Sequence, residues 1–224
     1  VRAASPSVMS IVAVELPLPY RVGTITTTDI KQQELYLTIP ISIILNNEKA
    51  TNDSTFNPMI RDLNTKYRSS DEFHELLLFL VYHKFILREK SEYYPYLRLL
   101  PSIRELGTPI LWSEADLASR LSPSHITQSA IEERARIHKT YSFISSVPII
   151  VEYFKQFLQS NGMNADDGLT LDQYLWANSI LNSRSIWYQG KRNLIPLLDF
   201  INCDEGPATG AVHATTIDTI GEKQ

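Results

Sequence analysis

Residues 170–203, TLDQYLWANSILNSRSIWYQGKRNLIPLLDFINC, constrain the fold of this chain more than any other segment. Thr170 followed three residues later by Gln173 makes a capping box, in which the threonine oxygen accepts from an orphan helix N–H and the glutamine side chain reaches back. That pair starts a helix with Tyr174, Trp176, Ala177, Ile180 and Leu181 at inward spacing, and the helix carries Ser183 and Arg184 to its C-terminal end. Residues 188–193 are polar, contain Gly190 and read as a loop. Residues 194–201 then form an apolar run broken only by Pro196 and Asp199, the pattern of a buried strand whose following turn Asp199 caps.

The first third of the chain reads as extended. Segments 10–16, 22–27 and 34–39 are rich in Val, Ile, Thr and Tyr, and Pro17, Pro19, Asp29 and Pro40 break them into short strands. From Ser69 onward the pattern is helical. Ser69 with Glu72 forms another capping box, opening a helix to about Glu89 with Phe73, Leu76, Leu77, Leu80, Val81 and Lys84 at helical spacing. Residues 91–101, SEYYPYLRLLP, read as an aromatic loop in which Tyr93, Tyr94 and Tyr96 pack with their hydroxyls at the surface. Ser113 caps a short helix. Pro123 and Ser124 open one reaching about Ser145, with Ile126, Ala130, Ile131, Ile137, Tyr141 and Ile144 inward, and Pro148 opens one through Leu158.

Composition removes several functions. A net charge of −4, without a lysine and arginine run, leaves no electrostatic footprint for nucleic acid or for an anionic membrane surface. The longest apolar runs, including residues 76–82, are far too short to span a bilayer, and Glu15, Pro17 and Pro19 interrupt the N-terminal apolar patch, so no membrane association is expected. The single cysteine, Cys203, excludes an internal disulfide and a CxxC zinc cluster, and it points to an intracellular reducing compartment, cytoplasm or nucleus. No metal site is expected. His74 and His83 lack the HExxH spacing, and Asp166-Asp167 lacks that of a calcium loop. The triplet Asn52-Asp53-Ser54 is read as a chance glycosylation match. A chain that begins with Val and ends in GEKQ reads as a fragment.

The order Ser183-Arg184, variable loop, Pro196-Leu197-Leu198-Asp199 and Asn202-Cys203 resembles the cofactor-binding core of the SET-domain methyltransferases. The branch is the one that includes plant Rubisco large-subunit lysine methyltransferase and the actin-histidine methyltransferases. Further matches fall in the family's order. Thr28-Asp29-Ile30, Gln33-Glu34-Leu35 and Leu37-Thr38-Ile39-Pro40 resemble its first sheet. Residues 76–84, Ser91, Pro95-Tyr96-Leu97, Leu100-Pro101 and Thr108-Pro109-Ile110-Leu111-Trp112 resemble its helical insert.

The resemblance implies an α+β fold: a short-stranded SET-type β core with a large all-helical insert, C-terminally truncated. The core is expected in 10–68 and 177–224, with the insert at 69–176. It also implies an S-adenosylmethionine-dependent protein N-methyltransferase acting on lysine or histidine of a protein substrate. Gly23 and Thr24 approach the cofactor by backbone, Arg184 pairs with its carboxylate, and Asn202 with Cys203 holds the adenine side, with Asp199 in the same set. Read alone, Arg184 is a helix C-terminal arginine that complements the dipole and the last carbonyls. Two departures stand out. Arg21 occupies the position of the family's first glycine, and Cys203 that of its histidine. The family's tyrosine at the methyl-transfer channel is expected beyond Gln224, so no catalytic residue is assigned. The reading from another class is a non-catalytic SET-like interaction module with a degraded cofactor site. Oligomeric state is left open.

Overall fold

The computed structural model describes residues 10–16, 22–31, 33–67 and 71–201. Its strands are β1 (Ile11–Glu15), β2 (Val22–Thr26), β3 (Leu45–Asn46), β4 (Ile186–Tyr188) and β5 (Lys191–Leu194). Its α-helices are α1 (Asn47–Asn52), α2 (Asn57–Tyr67), α3 (Glu72–Val81), α4 (Tyr94–Leu97), α5 (Glu114–Leu121), α6 (Ile126–Ile144), α7 (Pro148–Ser160) and α8 (Leu171–Arg184). The chain divides into two compact units at 44/45 and 185/186, one drawn from both ends of the sequence and one continuous, Leu45–Ser185. The sequence-based boundaries lie at 68/69 and 176/177.

The unit drawn from both ends is built from two antiparallel pairs. β1 and β2 pair from Ile11 opposite Thr26 to Glu15 opposite Val22, as their alternation predicts. Ser10 extends this pairing: its carbonyl accepts from Thr27 N–H at 2.9 Å, and its own N–H donates to Tyr36 O at 2.8 Å. The strand expected at 34–39 does not form. Glu34 N–H donates to Lys31 O at 3.0 Å and its carboxylate accepts from Lys31 N–H at 2.8 Å in a turn at the start of the segment, and pairing is reduced to a single bridge at Leu37.

Residues 188–193, expected as a loop, belong to a hairpin. β4 and β5 pair Ile186 with Asn193, Trp187 with Arg192 and Tyr188 with Lys191. Gln189 (φ 51°) and Gly190 (φ 71°) supply the two left-handed positions of a type I′ turn, whose twist matches that of the strands. Asn193 Nδ2 donates to Lys191 O at 2.9 Å and Tyr188 O at 3.2 Å, tying the turn to β5. The buried strand expected to lead into a turn at Asp199 ends at Leu194. Pro196 has no N–H for a ladder, Leu197 turns at φ 71°, and Leu198–Phe200 form a 3-10 turn.

The continuous unit is helical around an aromatic core. Phe56 meets Phe79 edge-on at 5.1 Å and stacks on Phe157 at 5.9 Å, while Tyr82 and Phe157 lie 4.7 Å apart. Asp71, not Ser69, supplies the N-cap of α3, accepting from Phe73 N–H at 3.1 Å and His74 N–H at 3.4 Å; Ser69 lies outside the described residues. Leu76 to Val81 are all buried. The helix then widens into π-helical turns at Tyr82–Leu87, and Arg88 (φ 51°) ends it. The aromatic segment 91–101 is more ordered than expected: Tyr93 and Tyr96 are buried, and α4 is held by Lys84 Nζ donating to Leu97 O at 2.7 Å.

Of the six residues expected inward on α6, Ile137 and Ile144 are buried, whereas Ile126 and Ile131 are 51% and 38% exposed. Ile126 is the first residue of the helix. Ile131 lies roughly a third of a turn from Ile137, off the stripe that faces the core.

Candidate functional site

In the unit drawn from both ends, β2 packs beside the Leu198–Phe200 turn, so elements far apart in sequence become neighbours. Gly23 sits on β2 opposite Val14 and is buried; Thr24 sits opposite Ala13 and is half-buried. A Cβ added at Gly23 would lie 2.6 Å from Leu16 Cδ1, so the Leu16 side chain packs directly on this glycine. Asp199 is half-buried on the neighbouring turn, and its N–H donates to Ile195 O at 3.2 Å. Phe200 and Ile201 donate to Leu197 O and Leu198 O, both at 3.2 Å, closing that turn. Leu194, Ile195 and Phe200 are buried and serve the core. The strand with Gly23 and Thr24 and the turn with Asp199 therefore share one unit.

Arg184 is the last residue of α8 in the helical unit and is half-buried. This helix is firmly anchored. Thr170 Oγ1 accepts from Gln173 N–H at 3.3 Å and Gln173 Oε1 from Thr170 N–H at 3.2 Å, the reciprocal box read from the sequence. Residues 174–181 are buried on every side, and Trp176 Nε1 donates to Pro101 O at 2.7 Å. Near the C-terminus, Ser183 Oγ donates to Ser179 O at 2.7 Å and Ser185 Oγ to Leu181 O. The Ser185 hydroxyl thus engages one of the last-turn carbonyls that the local reading assigns to Arg184. Arg21, Asn202 and Cys203 lie outside the described residues.

His74 and His83 are both hydrogen-bonded within the helical unit. His74 joins Asp71 to the Tyr174 hydroxyl, with Nε2 at 3.1 Å from it, and His83 Nδ1 lies 2.8 Å from Ser91 Oγ. Among the described residues there is no cluster of three or more side chains able to hold a metal ion. No described helix is long and apolar enough to cross a membrane. The sequence reading missed the Trp187 and Arg192 pair on β4 and β5, where the guanidinium carbon lies 5.1 Å from the ring centroid. The signal was the Gln189-Gly190 turn between two short extended segments.

No family model matches the chain. Its fold matches the SET domain of LSMT bound to lysine and AdoHcy, with a TM-score of 0.70 and 22% identity over 90% of this chain and 41% of that one. The structure of Rubisco LSMT bound to AdoMet matches with a TM-score of 0.70 and 21% identity, over 90% and 42%. The chain has the SET-domain fold. The resemblance to this SET branch holds in sequence as well. The chain is 26% identical over 187 residues to the chloroplastic [fructose-bisphosphate aldolase]-lysine N-methyltransferase of Arabidopsis thaliana, covering 83% of the chain and 34% of that protein. Against the actin-histidine N-methyltransferase of Canis lupus familiaris, identity is 26% over 203 residues, covering 84% and 30%. The chain spans about a third of the length of these curated relatives. The expected α+β architecture with a SET-type core is borne out.

Proposed function

We propose that this SET-type chain belongs to an S-adenosylmethionine-dependent protein N-methyltransferase, with lysine as the first acceptor to test and histidine as the second. The observation that carries the reading is the closeness of β2, which bears Gly23 and Thr24, to the turn that bears Asp199. In this reading Gly23 and Thr24 contribute backbone groups, and Asp199, Asn202 and Cys203 belong to the adenine-side set. Arg184 contributes a planar, permanently charged guanidinium suited to a carboxylate. The helical segment 69–176 serves as an insert of the core at 10–68 and 177–224.

When bound, S-adenosylmethionine supplies a methyl group on a sulfonium, and the protein has little acid-base chemistry left to do. Its tasks are alignment of the acceptor nitrogen to about 3 Å in line and exclusion of water. A lysine acceptor must also lose its proton, and an apolar channel favours that by penalising the charged amine. The single cysteine supports an intracellular, reducing location in this proposal.

Transfer of labelled methyl from S-adenosylmethionine to a protein mixture, followed by hydrolysis and amino-acid analysis, tests the function. Label in N-methyl-lysine or methylhistidine supports the proposal and names the acceptor. Absence of transfer sinks it.

A further inference from the structure

Asn161-Gly162 is the only Asn-Gly pair in the sequence, and it closes α7. Its geometry is a Schellman cap: Gly162 N–H donates to Gln159 O at 3.0 Å and Met163 N–H to Leu158 O at 2.9 Å, with Gly162 left-handed at φ 71°. The Asn161 side chain is held at both ends as well. Its Nδ2 donates to Phe157 O at 2.9 Å, and its Oδ1 accepts from Lys90 Nζ at 3.1 Å, a tether between groups 71 residues apart in sequence.

An Asn-Gly pair carries its own chemistry, because glycine has no side chain to shield its nitrogen from the neighbouring carboxamide. The Gly162 nitrogen, once deprotonated, bonds to Asn161 Cγ; the Cγ–Nδ2 bond breaks, Nδ2 leaves as ammonia, and a succinimide remains. Water opens that ring at either carbonyl, giving aspartate or isoaspartate. Ring closure needs the Gly162 nitrogen to eclipse Asn161 Cβ. At ψ 12° it nearly eclipses the nitrogen of Asn161 instead, roughly a third of a turn away about the Cα–C bond. Turning that bond breaks both cap hydrogen bonds, and bringing Cγ to the nitrogen releases the side chain from Phe157 and Lys90. The folded cap therefore blocks a reaction that the local sequence favours.

We propose that Asn161 is a latent deamidation site, which the Schellman cap and the Lys90 tether hold shut and which reacts only when the end of α7 opens. Water is the only co-reactant, and nothing in the proposal depends on methyl transfer. Ring closure is slow beside the opening of a helix end, so its rate follows the equilibrium population of the open form. The change is one-way. Isoaspartate lengthens the main chain by a carbon and shifts the amides that made the cap, and the loosened segment leads into Thr170, which caps the helix ending at Arg184.

The test incubates the whole chain in mildly alkaline buffer made with isotope-labelled water, then follows the Asn161 peptide by mass spectrometry, which reads ammonia lost and label gained. Folded wild type is expected to convert about tenfold or more slowly than the same chain unfolded in urea. Lys90 is exposed, so Lys90→Ala should keep the fold, which circular dichroism checks. Folded Lys90→Ala is expected to convert roughly two- to fivefold faster than folded wild type, the worth of one exposed charge-assisted contact, and at the same rate in urea. Amide exchange at Gly162 and Met163 should quicken by the same factor, because both reactions report one opening. Equal conversion of folded and unfolded wild type, conversion in folded Lys90→Ala that is unchanged or slower, or faster conversion without faster exchange overturns the proposal.

Discussion

Replacing His83 by asparagine should flatten the acid side of the stability profile between about pH 6.5 and about pH 4. His83 is 3% exposed and is surrounded by Phe79, Tyr93 and Tyr82, with ring centroids at 4.3, 4.9 and 5.4 Å. Its Nδ1 lies 2.8 Å from Ser91 Oγ, which also accepts from Tyr93 N–H at 3.1 Å. Burial disfavours the imidazolium and pulls the pKa from 6.5 to about 4, against a smaller opposing effect of the Asp53 charge.

The sign follows from proton binding. The unfolded chain takes up this proton as pH falls through 6.5, and the folded chain takes it up only near 4, so stability is fully present above 6.5 and drains away between those values. At about 1.4 kcal/mol per pH unit, the difference approaches about 3 kcal/mol at the acid end. That is a large part of the roughly 5–15 kcal/mol typical of a domain. Asparagine offers Ser91 both a donor and an acceptor and does not titrate. Carboxylates such as Glu133, held low by its hydrogen bond from Arg136, lose stability further down and do so in both proteins. Urea unfolding from about pH 7.5 to about pH 4.5 should show the wild type losing on the order of 2–3 kcal/mol more than His83→Asn. Parallel curves, or an NMR titration midpoint for His83 near 6.5, would refute the reasoning.

Further expectations concern α8 and β2. Thr170→Ala removes half of the capping box and should cost about 1 kcal/mol, read as a lower urea midpoint with unchanged slope. Trp176→Phe strands Pro101 O, which now accepts at 2.7 Å, and should cost about 1–3 kcal/mol in the same assay. Gly23→Ala forces Leu16 Cδ1 to move from its 2.6 Å approach and should weaken S-adenosylmethionine binding. Adding Leu16→Ala relieves that collision; binding that stays weak supports main-chain approach at Gly23, and recovered binding assigns the glycine to packing alone.

Local chemistry was legible where it acts locally. The Thr170 and Gln173 box, the Ser113 cap and the alternation in β1 and β2 are each decided within a few residues, and each formed as read. The strand expected at 34–39 is reduced to a bridge at Leu37, after a turn that Lys31 and Glu34 close between themselves. The hairpin at 186–194 was hidden because Gln-Gly is a weaker turn signal than Asn-Gly. On α6, helical spacing allowed more inward positions than the neighbouring helices cover. The closeness of β2 to the Asp199 turn depends on packing between opposite ends of the chain, which no spacing encodes. Only the resemblance to the SET family placed Gly23 and Asp199 in one set.

Calorimetric titration of S-adenosylmethionine into the protein, with Arg184→Ala alongside, reaches the proposed function most directly. One-site saturation that Arg184→Ala weakens roughly ten- to a hundredfold is the predicted result, in keeping with loss of a charge-assisted hydrogen-bonded pair. No heat beyond dilution at cofactor concentrations of about 1 mM, or equal affinity in the two proteins, would contradict it.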